Sequence, residues 1–474
     1  MKIFRLFVEF TLICFALSQI ARAVIPPPDG GYPNFTTAEG QNALQSLTTG
    51  AGNTALGAYA LFGTTTGSFN TAVGALALDL NTGDANTAVG VAALLLNTGA
   101  NNTGVGVDAL GLNTTGESNA AVGALALYNN TTGTFNTATG FRALFSNTTG
   151  QQNTANGDEA LHSNTEGIFN TANGDQSLHD NTTGNGNTAT GAGALFSNTT
   201  GIENTAAGES ALLSSTTGDR NTALGVLTLM SNTGGSFNVG VGFNALGDNT
   251  AGASNVALGV NALSGNLIGS NNIAIGNIAG INSTGDGNVY VGAGMIGVAG
   301  ESNHTYVRNI KDTSVSGANT DTVTLDLTTG LLGHLSSSGR YKEDIKPMGA
   351  GSEVLYQLKP VTFRYKREVD RTQSQTFGLI AEQVAKVNRD LVACNSKGQP
   401  EGVHYEQVNA MLLNEFLKEH KTIQEQGAII ARQQKQIDAL TAGLQRVSAQ
   451  LAAASPSDGG LELSKPAPQT VKNP

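Results

Sequence analysis

Tryptophan is absent from this chain of 474 residues, aromatic side chains make up 5 % of it and charged ones 13 %. With so few large rings and charges, three ordinary globular cores, which the length alone would suggest, are not expected. Basic residues are scarcest between positions 36 and 300, where 2 stand against 15 acidic ones, and no surface there can neutralise phosphates. A nucleic-acid partner is therefore not expected. Cysteine occurs twice, as Cys14 and Cys394. What is abundant is small: 61 glycines within a chain that is 39 % hydrophobic, too apolar for charge-driven disorder. The glycines do not recur at every third position, which excludes collagen and leaves a β-rich repeat architecture.

The amino terminus reads as an address. Lys2 and Arg5 precede an apolar run from Phe10 to Ile20, and Ala21-Arg22-Ala23 supplies the small residues of a cleavage site. The run is shorter than the roughly 20 residues that span a bilayer. Residues 1–23 are accordingly expected to be a secretory signal cut before Val24, giving a secreted or cell-surface product with no membrane span in the mature chain. Ile13 before Cys14 speaks against a lipoprotein site. Cleavage removes Cys14 and leaves Cys394 alone, so no intrachain disulfide is expected. Residues 24–35, with Pro26-Pro27-Pro28, read as a stiff linker.

From Asn53 a unit recurs: Asn-Thr-Ala-x-Gly-x-x-Ala-Leu-x-x-Asn-Thr-Thr-Gly-x-x. Its leading asparagines, from Asn53 to Asn288, are 17 residues apart in eleven cases and 16 in three, and Thr36 opens a degenerate first copy. Two of the shortened copies lose their residue in the loop, at Asn81-Thr82-Gly83 and Asn97-Thr98-Gly99. The strand part must therefore be locked in register. The unit is too short for a helix pair, and the fold class expected is mainly β: a parallel β-solenoid of 15–16 coils over residues 36–300, each coil with two short strands. At roughly 4.8 Å per coil the rod is on the order of 70 Å long. In Asn255-Val256-Ala257-Leu258-Gly259 the second and fourth residues share one face, and alanine and glycine the other. The small face is expected to bury itself against identical chains. The fourth position becomes polar or small in the middle copies (Thr139, Asn156, Asn173, Thr190, Ala207), where a wet face or an asparagine ladder is expected. Asn147-Thr148-Thr149 and its equivalents read as turn residues rather than glycosylation sites.

These repeats resemble the head region of trimeric autotransporter adhesins, in which Asn-x-Ala-Ile-Gly-type units form a parallel β-roll and three rolls pack side by side. The resemblance covers about 36–300 and implies a homotrimer with a cell-surface or glycan receptor.

A change of character begins near residue 300. Residues 301–335 read as a β-rich neck, with Thr322-Val323-Thr324-Leu325-Asp326-Leu327 alternating. Residues 336–415 turn charged and form an α+β domain. Over 416–453, Phe416, Ile423, Ile430, Ile437, Leu444 and Leu451 fall seven apart, with Leu440 and Val447 between them: a parallel coiled coil, with Gln426 and Gln433 fixing its register. Residues 454–474 read as a disordered tail.

No metal spacing, phosphate loop, paired-carboxylate motif or aromatic sugar platform is legible, and neither cofactor nor metal is expected. The stretch Ser336-Ser337-Ser338-Gly339-Arg340-Tyr341-Lys342-Glu343-Asp344-Ile345-Lys346-Pro347 stands apart. With Leu355-Tyr356-Gln357-Leu358-Lys359-Pro360-Val361-Thr362-Phe363-Arg364-Tyr365, Phe377-Gly378-Leu379-Ile380-Ala381-Glu382-Gln383-Val384 and Tyr405-Glu406-Gln407-Val408-Asn409, it resembles the intramolecular chaperone auto-processing domain that ends phage tail spikes and endosialidases. The resemblance covers about 336–450. It implies a trimeric stalk whose chaperone cuts itself off once with a Ser/Lys dyad. The family pattern Ser-[Asp/Ser]-x-Arg-x-Lys falls on Ser337 to Lys342. It implies Ser337 as nucleophile on the carbonyl of Ser336, Lys342 as general base, and Ser338 and Arg340 in support. Ser338 stands where aspartate is common. The alternative is a structural adhesin with an uncleaved trimerisation cap; a sugar-cleaving spike and an autotransporter barrel both lack their residues here.

Overall fold

The structure, a computed structural model, describes residues 33–310, 322–327, 329, 331–334, 336–395 and 397–454. The signal, most of the linker and the tail after Ala454 lie outside the described residues. The chain divides near residue 313 into two compact units.

The first unit is a parallel β-solenoid of seventeen three-residue strands, from β1 (Thr37–Glu39) to β17 (Thr305–Val307). Each strand pairs in parallel with the next at the equivalent residue, as in Thr154↔Thr171 and Asn156↔Asn173 between β8 (Thr154–Asn156) and β9 (Thr171–Asn173). The loop deletions leave this register intact: Thr71 faces Thr87, and Thr87 faces Thr103.

Each coil holds one strand, not two. The Ala-Leu pair expected in a second strand lies in a curled segment where left-handed residues alternate with ordinary ones, as at Tyr59 (φ 59°) and Leu61 (φ 52°). The curl keeps an intercoil bond, Leu61 N donating to the Ala77 carbonyl at 3.0 Å, and turns the leucine inward, where it is fully buried. A leucine with positive φ is disfavoured. Burying its side chain contributes about 1.5–3 kcal/mol in the opposite direction.

The small face also differs from expectation. Ala55, Ala72, Ala88 and their equivalents are fully buried inside their own coil against this leucine stack, not against another chain. The second and fourth strand residues point outward instead. A single coil closes on so few residues that it holds mainly asparagine, alanine or serine and one large side chain, in most coils a leucine. The strand-end glycine follows from the same tightness: a Cβ on Gly157 (φ +146°) would lie 2.3 Å from the Gly174 carbonyl oxygen.

Asparagine ladders run through the interior. Each leading asparagine from Asn53 to Asn272 accepts through Oδ1 from the backbone N–H of its successor, as Asn153 does from Asn170 at 3.0 Å, and donates through Nδ2 to a loop glycine carbonyl, here Gly167 at 2.8 Å. The loop asparagines form a second ladder, in which Asn147 Nδ2 donates to Asn130 Oδ1 at 2.7 Å and Asn164 Nδ2 to Asn147 Oδ1 at 2.8 Å. Asn147 is fully buried, so its turn role is joined to a core role that excludes a glycan in the folded coil. The outer-face ladder reduces to one exposed rung, Asn156 Nδ2 to Asn173 Oδ1 at 3.3 Å. Where Gly280 replaces the core leucine, Tyr290 of the next coil fills the space, fully buried and stacked on Tyr306 at 5.4 Å.

The second unit contains the hairpins β18 (Thr324–Leu325)/β19 (Leu332–Gly333), β20 (Val361–Phe363)/β21 (Thr376–Gly378) and β22 (Val392–Cys394)/β23 (Pro400–Val403). Helix α1 (Ala381–Val387) and the 50-residue helix α2 (Tyr405–Ala454) complete it. Its core is small: Val384, Leu391 and Val392, flanked by Val354, Leu358 and Leu379.

Candidate active site

Ser336 to Lys342 form an exposed turn ahead of that core. Ser338 caps a 3-10 turn at Gly339–Tyr341, its Oγ accepting from Arg340 N at 3.3 Å and from Arg340 Nε at 3.2 Å. Ser336 Oγ accepts from Ser338 N at 3.2 Å. The Arg340 guanidinium lies over the Tyr341 ring, 5.6 Å from its centre. The turn thus brings together Ser336, Ser338 and Arg340, the residues expected to flank or support the chemistry. It does not join the dyad: Ser337 and Lys342 are both exposed, and among the described residues no hydrogen bond links them.

A second constellation lies where the 3-10 segment Gly349–Gln357 packs on α2. Ser352 is fully buried; its hydroxyl donates to Glu415, and it accepts from Asn414 Nδ2 at 2.6 Å and from Lys418 Nζ at 3.4 Å. Tyr356 donates its hydroxyl proton to Glu415 Oε2 at 2.9 Å, and Lys418 meets Glu415 Oε1 at 2.7 Å. The Lys418 ammonium and the Ser352 hydroxyl hold the Glu415 carboxyl well down, at about 2. With its lysine charged and its serine hydroxyl directed at a carboxylate, this cluster is a clamp for α2 and not a nucleophile. Sequence reasoning missed it, because Ser352 and Glu415 are 63 positions apart and belong to no short motif.

Other quoted residues are structural. Tyr405 at the head of α2 accepts from Leu379 N at 2.9 Å, and its hydroxyl oxygen would lie 2.9 Å from a Cβ on Gly378, so a larger residue there would displace this hydroxyl. Cys394 is half-buried at the irregular end of β22. Among the described residues no group of three or more His, Cys, Asp or Glu could hold a metal, and no helix is long and apolar enough to cross a membrane.

A parallel solenoid followed by small sheets and a long carboxyl-terminal helix defines a fibre with an appended domain. Residues 337–393 of that appended domain match the family model described as "Chaperone of endosialidase", a self-cleaving chaperone family, and the match opens on Ser337. Behind its repeats the chain is thus similar, over these residues, to the chaperone domain of endosialidase. No curated protein and no solved structure matches the chain.

Proposed function

We propose that this protein is a secreted homotrimeric fibre whose carboxyl-terminal domain chaperones assembly of the solenoid and then releases itself by one cut between Ser336 and Ser337. The observation that carries the reading is the match of 337–393 to a self-cleaving chaperone family directly behind a rod. The long helix supports assembly. Along α2, Phe416, Ile423, Ile430, Ile437 and Leu444, seven residues apart, are each more than half exposed, which suits a coiled-coil seam between copies.

In the chemistry we propose, assembly desolvates Lys342 so that its neutral amine takes the proton from Ser337 Oγ. The oxygen attacks the Ser336 carbonyl carbon. The carbon–nitrogen bond to Ser337 breaks as the lysine returns the proton to the departing amine. The resulting ester is hydrolysed by water, giving the Ser336 carboxylate and the free Ser337 hydroxyl. Exposure of both dyad residues in a single chain supports cleavage that waits for assembly.

A denaturing gel of the secreted protein tests this. Fragments 24–336 and 337–474 are expected, with only intact chain for Ser337→Ala and Lys342→Ala. An intact wild-type chain would overturn self-cleavage and leave the uncleaved trimerisation cap, which the unjoined dyad also fits.

A further inference from the structure

The last position of each coil, just before the leading asparagine, forms one corner of the solenoid. Phenylalanine occupies it five times, at Phe35, Phe69, Phe135, Phe169 and Phe237, with exposures from 97 % at Phe35 to 53 % at Phe237. Their φ angles all lie between 58° and 61°, so the side chains leave the rod in one way. Stability does not explain them. A bulky residue at such an angle costs on the order of 1–3 kcal/mol, and a ring more than half exposed regains only part of that by burial; Phe237 also has the Arg220 guanidinium over its ring, 5.6 Å from the centre. Elsewhere the same corner takes residues suited to the angle, such as Gly52 and Gly186.

The spacing carries the argument further. The intervals along the chain are 34, 66, 34 and 68 residues, which are two, four, two and four coils. Every phenylalanine thus falls on the same parity of coil. Two coils rise about 9.6 Å, on the order of the length of two pyranose rings joined end to end. In a flat β-linked glycan ribbon successive sugars are related by a half-turn, so equivalent faces recur at every second ring. A phenyl ring offers an apolar plate for the C–H face of such a sugar. Backbone bonds to the preceding coil, from Phe69 N to the Ala51 carbonyl at 2.8 Å and from Phe237 N to the Asp219 carbonyl at 3.0 Å, hold the plates in place before any ligand arrives. Asn101 and Gln152, exposed at the same corner between plates, can bond sugar hydroxyls. With 15 acidic and 2 basic residues over 36–300 the rod repels polyanions, which excludes an acidic glycan.

We infer that this phenylalanine row is a binding site for a linear, uncharged, β-linked polysaccharide, read at the period of its disaccharide. The sequence reading expected no aromatic sugar platform in the repeats; the row becomes visible once the coils are stacked. The inference rests on the fibre reading for its extracellular setting and not on self-cleavage.

Co-sedimentation of the full chain with microcrystalline cellulose, and with starch granules as the helical α-linked control, tests it. The wild-type chain is expected to sediment with cellulose and not with starch. The variant F69S/F135S/F169S/F237S is expected to lose binding by about tenfold or more, equivalent to about 1.4 kcal/mol, with unchanged melting and number of chains. The exchange S118F/F135S keeps the number of plates but makes two intervals odd, and is expected to weaken binding as well. No binding by the wild type, equal binding to starch, or unchanged binding by both variants overturns the site. A changed number of chains in the variant also overturns it, because the row would then be a contact between copies. Ser337→Ala separates the two readings: uncleaved chain that still binds cellulose keeps the site whatever becomes of the protease.

Discussion

Replacing Asn153 by alanine should open the rod locally and by a calculable amount. The side chain is fully buried. It donates to the Gly167 carbonyl at 2.8 Å and to Asn136 Oδ1 at 3.1 Å, and accepts from the backbone N–H of Asn170 at 3.0 Å and from Asn170 Nδ2 at 3.2 Å. Three partners keep a second bond in Asn153→Ala: Gly167 O still accepts from Asn164 Nδ2, Asn170 Nδ2 still reaches Gly184 O, and Asn136 Oδ1 still accepts from the backbone N–H of residue 153. The backbone N–H of Asn170 loses its acceptor inside a coil that water does not reach. One orphaned buried donor costs about 1–3 kcal/mol, and each other bond lost about 0.5–1.5 kcal/mol. A total of about 5 kcal/mol follows from the central values, equivalent to exchange faster by a few thousandfold. A long repeat array need not unfold in one step, so amide hydrogen exchange is the suitable assay rather than a single melting point. Protection should fall in the coils of β8 and β9 and remain unchanged several coils away. Thr154→Ala, on the outer face of the same strand, should stay within about 0.5 kcal/mol of wild type. Exchange less than tenfold faster in Asn153→Ala, or faster along the whole rod, would refute the ladder as the source of local stability.

Three further outcomes follow from named contacts. Ser215 interrupts the loop ladder, leaving its own hydroxyl and Asn198 Oδ1 buried without partners; Ser215→Asn should restore the rung and stabilise the rod by about 1–2 kcal/mol in hydrogen exchange. His162 stacks between Phe145 at 5.3 Å and His179 at 4.9 Å. Burial and the neighbouring His179 hold its imidazole below the ordinary value, against the opposing pull of Glu159. The unfolded chain then takes up this proton first, so stability present above about pH 6.5 should fall as pH drops below it. His162→Phe should lessen that fall in an acid melting series. Glu415, held at about 2, stabilises the clamp above the ordinary carboxylate range and loses that contribution as pH falls toward 2. Glu415→Gln should therefore raise exchange in Gly349–Gln357 at neutral pH and remove its acid dependence.

The repeat length, the parallel stacking and the confinement of two deletions to the loop were legible in the sequence, because in-register pairing requires equal coils and tolerates change only where strands do not pair. The family resemblance that the match over 337–393 supports was legible too, as were the apolar steps of α2, since both are local spacings. The clamp was not, because Ser352 meets Glu415 only after the chain has folded back.

Alternation along a strand tells which residues share a face, but not which face is inside. Closure of the coil decided that. A ring of 16 or 17 residues has room for one large side chain; where leucine supplies it from the curl, asparagine and alanine turn inward from the strand, and where Gly280 replaces that leucine the strand supplies Tyr290 instead. The loop asparagines, turn formers in one dimension, became a buried ladder because an amide can donate and accept at once, and identical amides then recur at the spacing of the coils. The five phenylalanines are scattered over two hundred positions in the sequence and form one line in space. Stacking coils converts a common position in the repeat into a common corner of the rod.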